Sequence, residues 1–114
     1  KEFPNWTLIE GDVADVSFDE IVEGFDAIIL DLPEPWSVIS ELSKKLRYGG
    51  RIACYCPVSS QLEKAWEACE EAGLKVDWAG EMMERVWTKA SRGGVRPGNT
   101  PMGHTAFLLI AERT

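Results

Sequence analysis

Apolar residues along this chain change their spacing from block to block, and the changes mark its elements. Phe25-Asp26-Ala27-Ile28-Ile29-Leu30 closes on a continuous apolar run, which predicts a strand over residues 27–30 with both sheet faces covered by helices. An earlier run, Trp6-Thr7-Leu8-Ile9-Glu10, predicts a short strand closed by Gly11-Asp12. Pro35 suits the first turn of a helix. Val38, Ile39, Leu42 and Leu46 then recur at helical spacing, and Gly49-Gly50 is expected to stop that helix. Residues 51–56 predict another strand, ended by Pro57. Ser60 and Glu63 have the spacing of a capping box. Leu62, Ala65, Trp66 and Cys69 form one apolar stripe, expected to be core, and Gly73 terminates that helix. One or two strands are expected between Leu74 and Trp87, and the last over residues 105–111.

The predicted order is strand, strand, helix, strand, helix, strand, strand. Alternation in the middle argues for parallel strands joined by crossover helices. The tail argues for an antiparallel hairpin at one edge. Its connection, about residues 88–103, holds Gly93, Gly94, Pro97, Gly98, Pro101 and Gly103. A connection of that length without structure of its own is functional or disordered. No repeat, low-complexity tract or linker divides the 114 residues, so one domain is expected over 1–114.

Charge sharpens this picture. The net charge is −7, which argues against nucleic acid as the partner of the whole surface. The distribution is uneven. Residues 1–81 hold 17 acids and 7 bases, whereas residues 82–114 hold 5 bases and 2 acids. The basic tail reads either as a local phosphate-contact surface or as scatter. Cys54, Cys56 and Cys69 are odd in number and lie in apolar surroundings, so they read as free buried thiols of a reducing cytosol. With one histidine in the chain they complete no expected metal site. No apolar run is long enough to span a bilayer as a helix, and no signal peptide is read at the start. The chain opens on Lys1 rather than Met, and is expected to be part of a longer protein.

The densest chemistry is at Asp31-Leu32-Pro33-Glu34-Pro35-Trp36. An apolar strand ends there at a carboxylate, followed by a turn stiffened by two prolines and by an aromatic ring. In open α/β sheets, ligands bind outside the carboxyl ends of the strands. Such a site suits something flat and polar.

Asp31-Leu32-Pro33-x-Pro35-Trp36 resembles the motif after the fourth strand of the tRNA (adenine-58-N1)-methyltransferases. Arg96-Pro97 and Met102-Gly103-His104-Thr105-Ala106-Phe107 are similar to that family's closing motif. Gly49-Gly50-Arg51-Ile52-Ala53-Cys54-Tyr55-Cys56-Pro57, with Ser59-Ser60-Gln61, resembles its fifth strand and the helix start that follows. The resemblance covers nearly the whole chain and extends to archaeal members that modify adjacent adenines, 57 and 58, in the T-loop. It implies a partial Rossmann-like methyltransferase fold, S-adenosylmethionine as cofactor, tRNA as partner, a homotetramer, no membrane and a cytoplasmic location. The family's glycine-rich loop and its ribose-gripping acid have no counterpart here. By resemblance both belong upstream of Lys1, and two further strands belong between those near Trp6 and Ile28. The chain therefore reads as the C-terminal half of a catalytic domain, inactive alone.

Adenine N1 attacks through an in-plane lone pair and needs no deprotonation. Positive charge passes from the sulfonium to the ring. A carboxylate accepting from the exocyclic amine stabilises that charge and fixes the ring in line with the methyl group. Asp31 is the candidate for this role and is also expected to bind the cofactor; the alternative is a helix-capping carboxylate, for which Glu34 competes. By resemblance Asp12 bonds the cofactor adenine amine; the alternative is a turn aspartate. Trp36 either stacks on a base or packs. His104 either orients the target nucleotide or is structural. Arg92 and Arg96 either contact phosphate or are solvated. Two rival functions stand beside methylation of tRNA: a non-catalytic RNA-binding or assembly subunit of the same fold, and a methyltransferase acting on another substrate.

Overall fold

The computed structural model describes residues 3–98 and 103–114, with the backbone alone for residues 103–105. Strand β1 (Phe25–Leu30) leads through helix α1 (Trp36–Ser43) to β2 (Leu46–Cys56), and helix α2 (Ser59–Glu71) leads to β3 (Lys75–Glu84). A small ladder, β4 (Trp87–Lys89) and β5 (Val95–Pro97), precedes the final strand β6 (Gly103–Glu112). The main sheet has the order β1-β2-β6-β3. β1 and β2 are parallel, and β6 runs antiparallel to both β2 and β3. The expected crossover and tail hairpin are both present, but the last strand sits inside the sheet and β3 takes the edge.

Helix boundaries follow local chemistry. α1 ends at Ser43, a turn earlier than the apolar spacing predicts, and Leu46 opens β2 instead. The carbonyls beyond the helix are already committed. Arg113 Nη1 donates to the carbonyls of Ser43, Lys44 and Leu46, at 2.6 Å for the last, and the Phe25 N–H donates to Lys45 at 2.7 Å. Gly49 and Gly50 lie within β2 and do not stop a helix; Gly49 adopts φ +83°, which a side chain would strain. α2 ends as predicted. Gly73 has φ +80°, and the Leu74 N–H returns to the Cys69 carbonyl at 2.9 Å.

Two other expectations fail. Residues 6–10 form no strand, and Trp6, Leu8 and Ile9 are exposed. Strand composition without a neighbouring edge leaves the backbone without ladder partners. The Ser60–Glu63 capping box is also absent. Ser60 lies inside α2, and the side chain that reaches back is Gln61, whose Oε1 accepts from the Val58 N–H at 3.3 Å.

The core lies on one face of the sheet. Ile52, Cys54, Cys56, Leu109 and Ala111 point toward Ile39 and Leu42 of α1 and Ala65 and Cys69 of α2. All the strand residues of that set are at most 1% exposed. Cys54 and Cys56 share this face as the strand period requires, and all three cysteines are free and buried. Burial pushes the thiols up, Cys54 to about 12 and Cys69 to about 11. Trp66, expected in the core stripe, is instead 40% exposed on the outer side of α2.

The opposite face carries a cross-strand apolar row, Ile29, Ala53, Ile110 and Trp78, in register across all four strands. Ile29 is 80% exposed and Trp78 44%. A 114-residue domain has an expected radius of gyration of about 13 Å, against 18.5 Å here.

Candidate functional site

Strand direction gathers the candidate residues at one end of the sheet. β1 and β2 both finish there, at Leu30 and Cys56. Because β6 is antiparallel, its first residues lie at the same end, with Phe107 opposite Cys56 and His104 opposite Met83 of β3. The β4–β5 ladder joins β3 to β6 and so projects from this end too.

Asp31 follows the last residue of β1 and is exposed. Its carboxylate has no hydrogen-bond or ion-pair partner among the described residues. The capping alternative is not realised. α1 has no side-chain cap; Pro35 occupies its N-cap position, and the Glu34 backbone carbonyl, not its carboxylate, accepts from Ser37. Pro35 is fully buried and anchors the loop in the core.

A cleft of about 400 Å³ separates Gly11–Ala14 from the loop after β1. Asp12, Val13, Leu32, Pro33, Glu34 and Val38 line it, so the two loops named from sequence face one space. Asp31 is the chain neighbour of Leu32 but is not itself a lining residue. Asp12 does the work of a turn aspartate: Oδ1 accepts from the Ala14 N–H at 2.9 Å and opens a 3₁₀ turn, Val13–Asp15. Its second oxygen has no hydrogen-bond partner among the described residues.

Trp36 is half-buried as the first residue of α1. The Lys64 ammonium lies 4.9 Å from its ring centroid, so one face of the ring is already taken by a cation. Arg92 and Arg96 are exposed on the projecting hairpin, Arg92 near the tip and Arg96 on β5 opposite Thr88. Up to residue 98 the connection is structured: β4 pairs with β5, the Gly98 N–H donates to the Val86 carbonyl at 2.8 Å, and Gly93 and Gly94 turn the tip at positive φ. His104 lies on β6, with its side chain outside the described atoms. Sequence reasoning missed Gln61. Its Nε2 donates to the Pro33 carbonyl at 3.3 Å and ties α2 to the loop after β1. The spacing of a glutamine at the third helical position signals its local bond to Val58, not the one to Pro33.

Residues 3–92 match the family described as "tRNA methyltransferase complex GCD14 subunit". The chain belongs to this family. Among curated relatives, TrmI of Methanocaldococcus jannaschii, a tRNA (adenine(57)-N(1)/adenine(58)-N(1))-methyltransferase, is 38% identical over 88 residues, 76% of this chain and 31% of that protein. TrmI of Thermus thermophilus, a tRNA (adenine(58)-N(1))-methyltransferase, is 28% identical over 89 residues, 78% of this chain and 34% of that protein. Among solved structures, tRNA (m1A58) methyltransferase TrmI from Aquifex aeolicus superposes with a TM-score of 0.74 at 26% identity, covering 90% of this chain and 40% of that one. A SAM-dependent O-methyltransferase from Thermotoga maritima gives 0.67 at 30% identity, covering 82% and 37%. The fold is that of the Rossmann-like methyltransferases. The chain spans about a third of the length of the curated relatives it matches.

Proposed function

We propose that this chain is the C-terminal part of a catalytic domain that methylates N1 of adenine in the T-loop of tRNA, with S-adenosylmethionine as methyl donor. The observation that carries the reading is Asp31. It is an exposed carboxylate at the carboxyl end of a parallel strand, free of a capping role, in a family whose relatives are named adenine-N1 methyltransferases. Asp31 accepts a hydrogen bond from the exocyclic amine of the target base, holds the ring in the attack geometry and offsets the charge that develops on it.

The cleft beside Asp12 fits the adenine end of the cofactor. Apolar walls from Val13, Leu32, Pro33 and Val38 suit a flat ring, and the second oxygen of Asp12 suits its amine. None of the residues lining the cleft is cationic, so the cofactor's carboxylate has no partner there. When bound, the cofactor supplies an electrophilic methyl group on a sulfonium. Arg92 and Arg96 contact tRNA phosphates, His104 orients the nucleotide, and Trp36 borders the base.

The domain is completed by chain outside these 114 residues. A monomer of 12.7 kDa is expected to expose about 6,200 Å², whereas this one exposes 8696 Å². The excess is on the scale of an obligate interface. Exposed apolar side chains are spread over the N-terminal segment (Trp6, Leu8, Ile9), the sheet face (Ile29, Trp78) and the hairpin (Trp87, Val95), and the cofactor-binding half docks against part of this surface. The complete protein is a cytoplasmic homo-oligomer, consistent with free buried thiols. The test is nucleoside mass analysis after incubating the complete protein with unmodified tRNA and S-adenosylmethionine. 1-Methyladenosine in the T-loop is expected; another methylated nucleoside, or none, overturns the reading.

A further inference from the structure

Gln61 touches two strand-end loops at once. Its Oε1 accepts from the Val58 N–H just after β2, and its Nε2 donates to the Pro33 carbonyl just after β1, both at 3.3 Å. One side chain therefore joins the carboxyl-end loops of two adjacent parallel strands. The amide orientation is forced, because one neighbour can only donate and the other can only accept.

This bond completes the restraint on Asp31. On one side, Leu30 is fixed in the ladder opposite Cys54. On the other, Pro35 is fully buried, and both prolines have a locked φ. Between those anchors, Pro33 is tied by its carbonyl to Gln61. Lys64, one turn further along α2, places its ammonium over Trp36 and holds the far end of the same loop.

We propose that Gln61 is the positioning residue for Asp31: it sets the loop after β1 against α2, so that the carboxylate stands at a fixed height above the strand ends. The functional half of this inference rests on the reading of Asp31 as the base-positioning group; the clamp itself does not.

Gln61→Glu separates the two halves of the contact. A carboxylate still accepts from the Val58 N–H, and is favoured at a helix N-terminus, but it cannot donate to the Pro33 carbonyl. In the 114-residue chain, exchange of the Ser37 and Val38 amides, which are bonded to the Glu34 and Pro35 carbonyls, is expected to quicken about tenfold, with α2 unchanged. Gln61→Met, of similar length and uncharged, is expected to do the same at the loop. In the complete protein, kcat for adenine methylation is expected to fall about tenfold, with KM for tRNA and for S-adenosylmethionine within about twofold of wild type. Wild-type exchange rates in both variants overturn the clamp. Quickened exchange with unchanged kcat overturns the positioning role. If the wild-type complete protein methylates no adenine, the function assigned to Asp31 falls and the positioning role with it, while the exchange result still decides the clamp.

Discussion

The two faces of the main sheet are built from the same residue types and meet opposite surroundings. On one, Ile52, Cys54, Leu109 and Ala111 are sealed by α1 and α2. On the other, Ile29, Ala53, Ile110 and Trp78 form an apolar row in which Ile29 and Trp78 are exposed and Ala53 and Ile110 only half-buried. The difference is one of missing layers, not of composition. Parallel strands of an α/β sheet carry apolar residues on both faces because both are covered in the finished domain. On the proposed function, the bare face is where a further layer of the domain packs.

Mutations can break or sharpen that contrast. Leu109→Ala opens a cavity in the sealed face and is expected to cost about 3 kcal/mol, whereas Ile29→Ser in the same chain is expected to cost no more than about 0.5 kcal/mol. Urea midpoints measure both, and similar losses would erase the distinction. In the complete protein, Ile29→Ser should become costly, at about 2 kcal/mol, because its side chain then leaves water. If it stays silent there, the face is not an internal surface.

Arg113 closes the sealed side. It donates to three carbonyls behind α1, and its guanidinium lies 4.4 Å from the Tyr48 ring centroid. Arg113→Ala is expected to cost about 1–2 kcal/mol, read as a lower thermal midpoint. A pH slope separates the sealed face in alkaline solution alone. Burial holds the Cys54 thiol at about 12 and Cys69 at about 11, from an ordinary value of 9.0, and also raises Cys56. The unfolded chain sheds these protons first, so it binds fewer protons than the native state above pH 9. Stability is then expected to decline from about pH 9 towards pH 12 and to be independent of these groups below that range. Urea melts across this window, with Cys54→Ser as the comparison, measure it; an identical slope in the variant would remove the thiol as the cause.

Much of this was legible in the chain. The apolar run closing on Leu30 and the carboxylate after it located β1 and Asp31, and Gly73 located the end of α2. Asp12 was found by its place after an apolar segment, although that segment is not a strand. A strand at residues 6–10 could not be judged from its own composition, because its ladder depends on neighbours. Leu46 misled because one apolar residue satisfies both the helical spacing and the start of a buried strand; long-range bonds from Phe25 and Arg113 decided between them. The β4–β5 ladder was hidden by glycines and prolines that read as loop. The Gln61 contact with Pro33 spans 28 residues of sequence, and no local pattern reports it.

The central claim is that Asp31 holds the target adenine. Turnover of the complete protein on unmodified tRNA tests it most directly, with Asp31→Ala set against wild type. A loss of about 10²-fold or more in kcat, with the variant folded to the same urea midpoint, is the result expected. Equal turnover in the two proteins would contradict it.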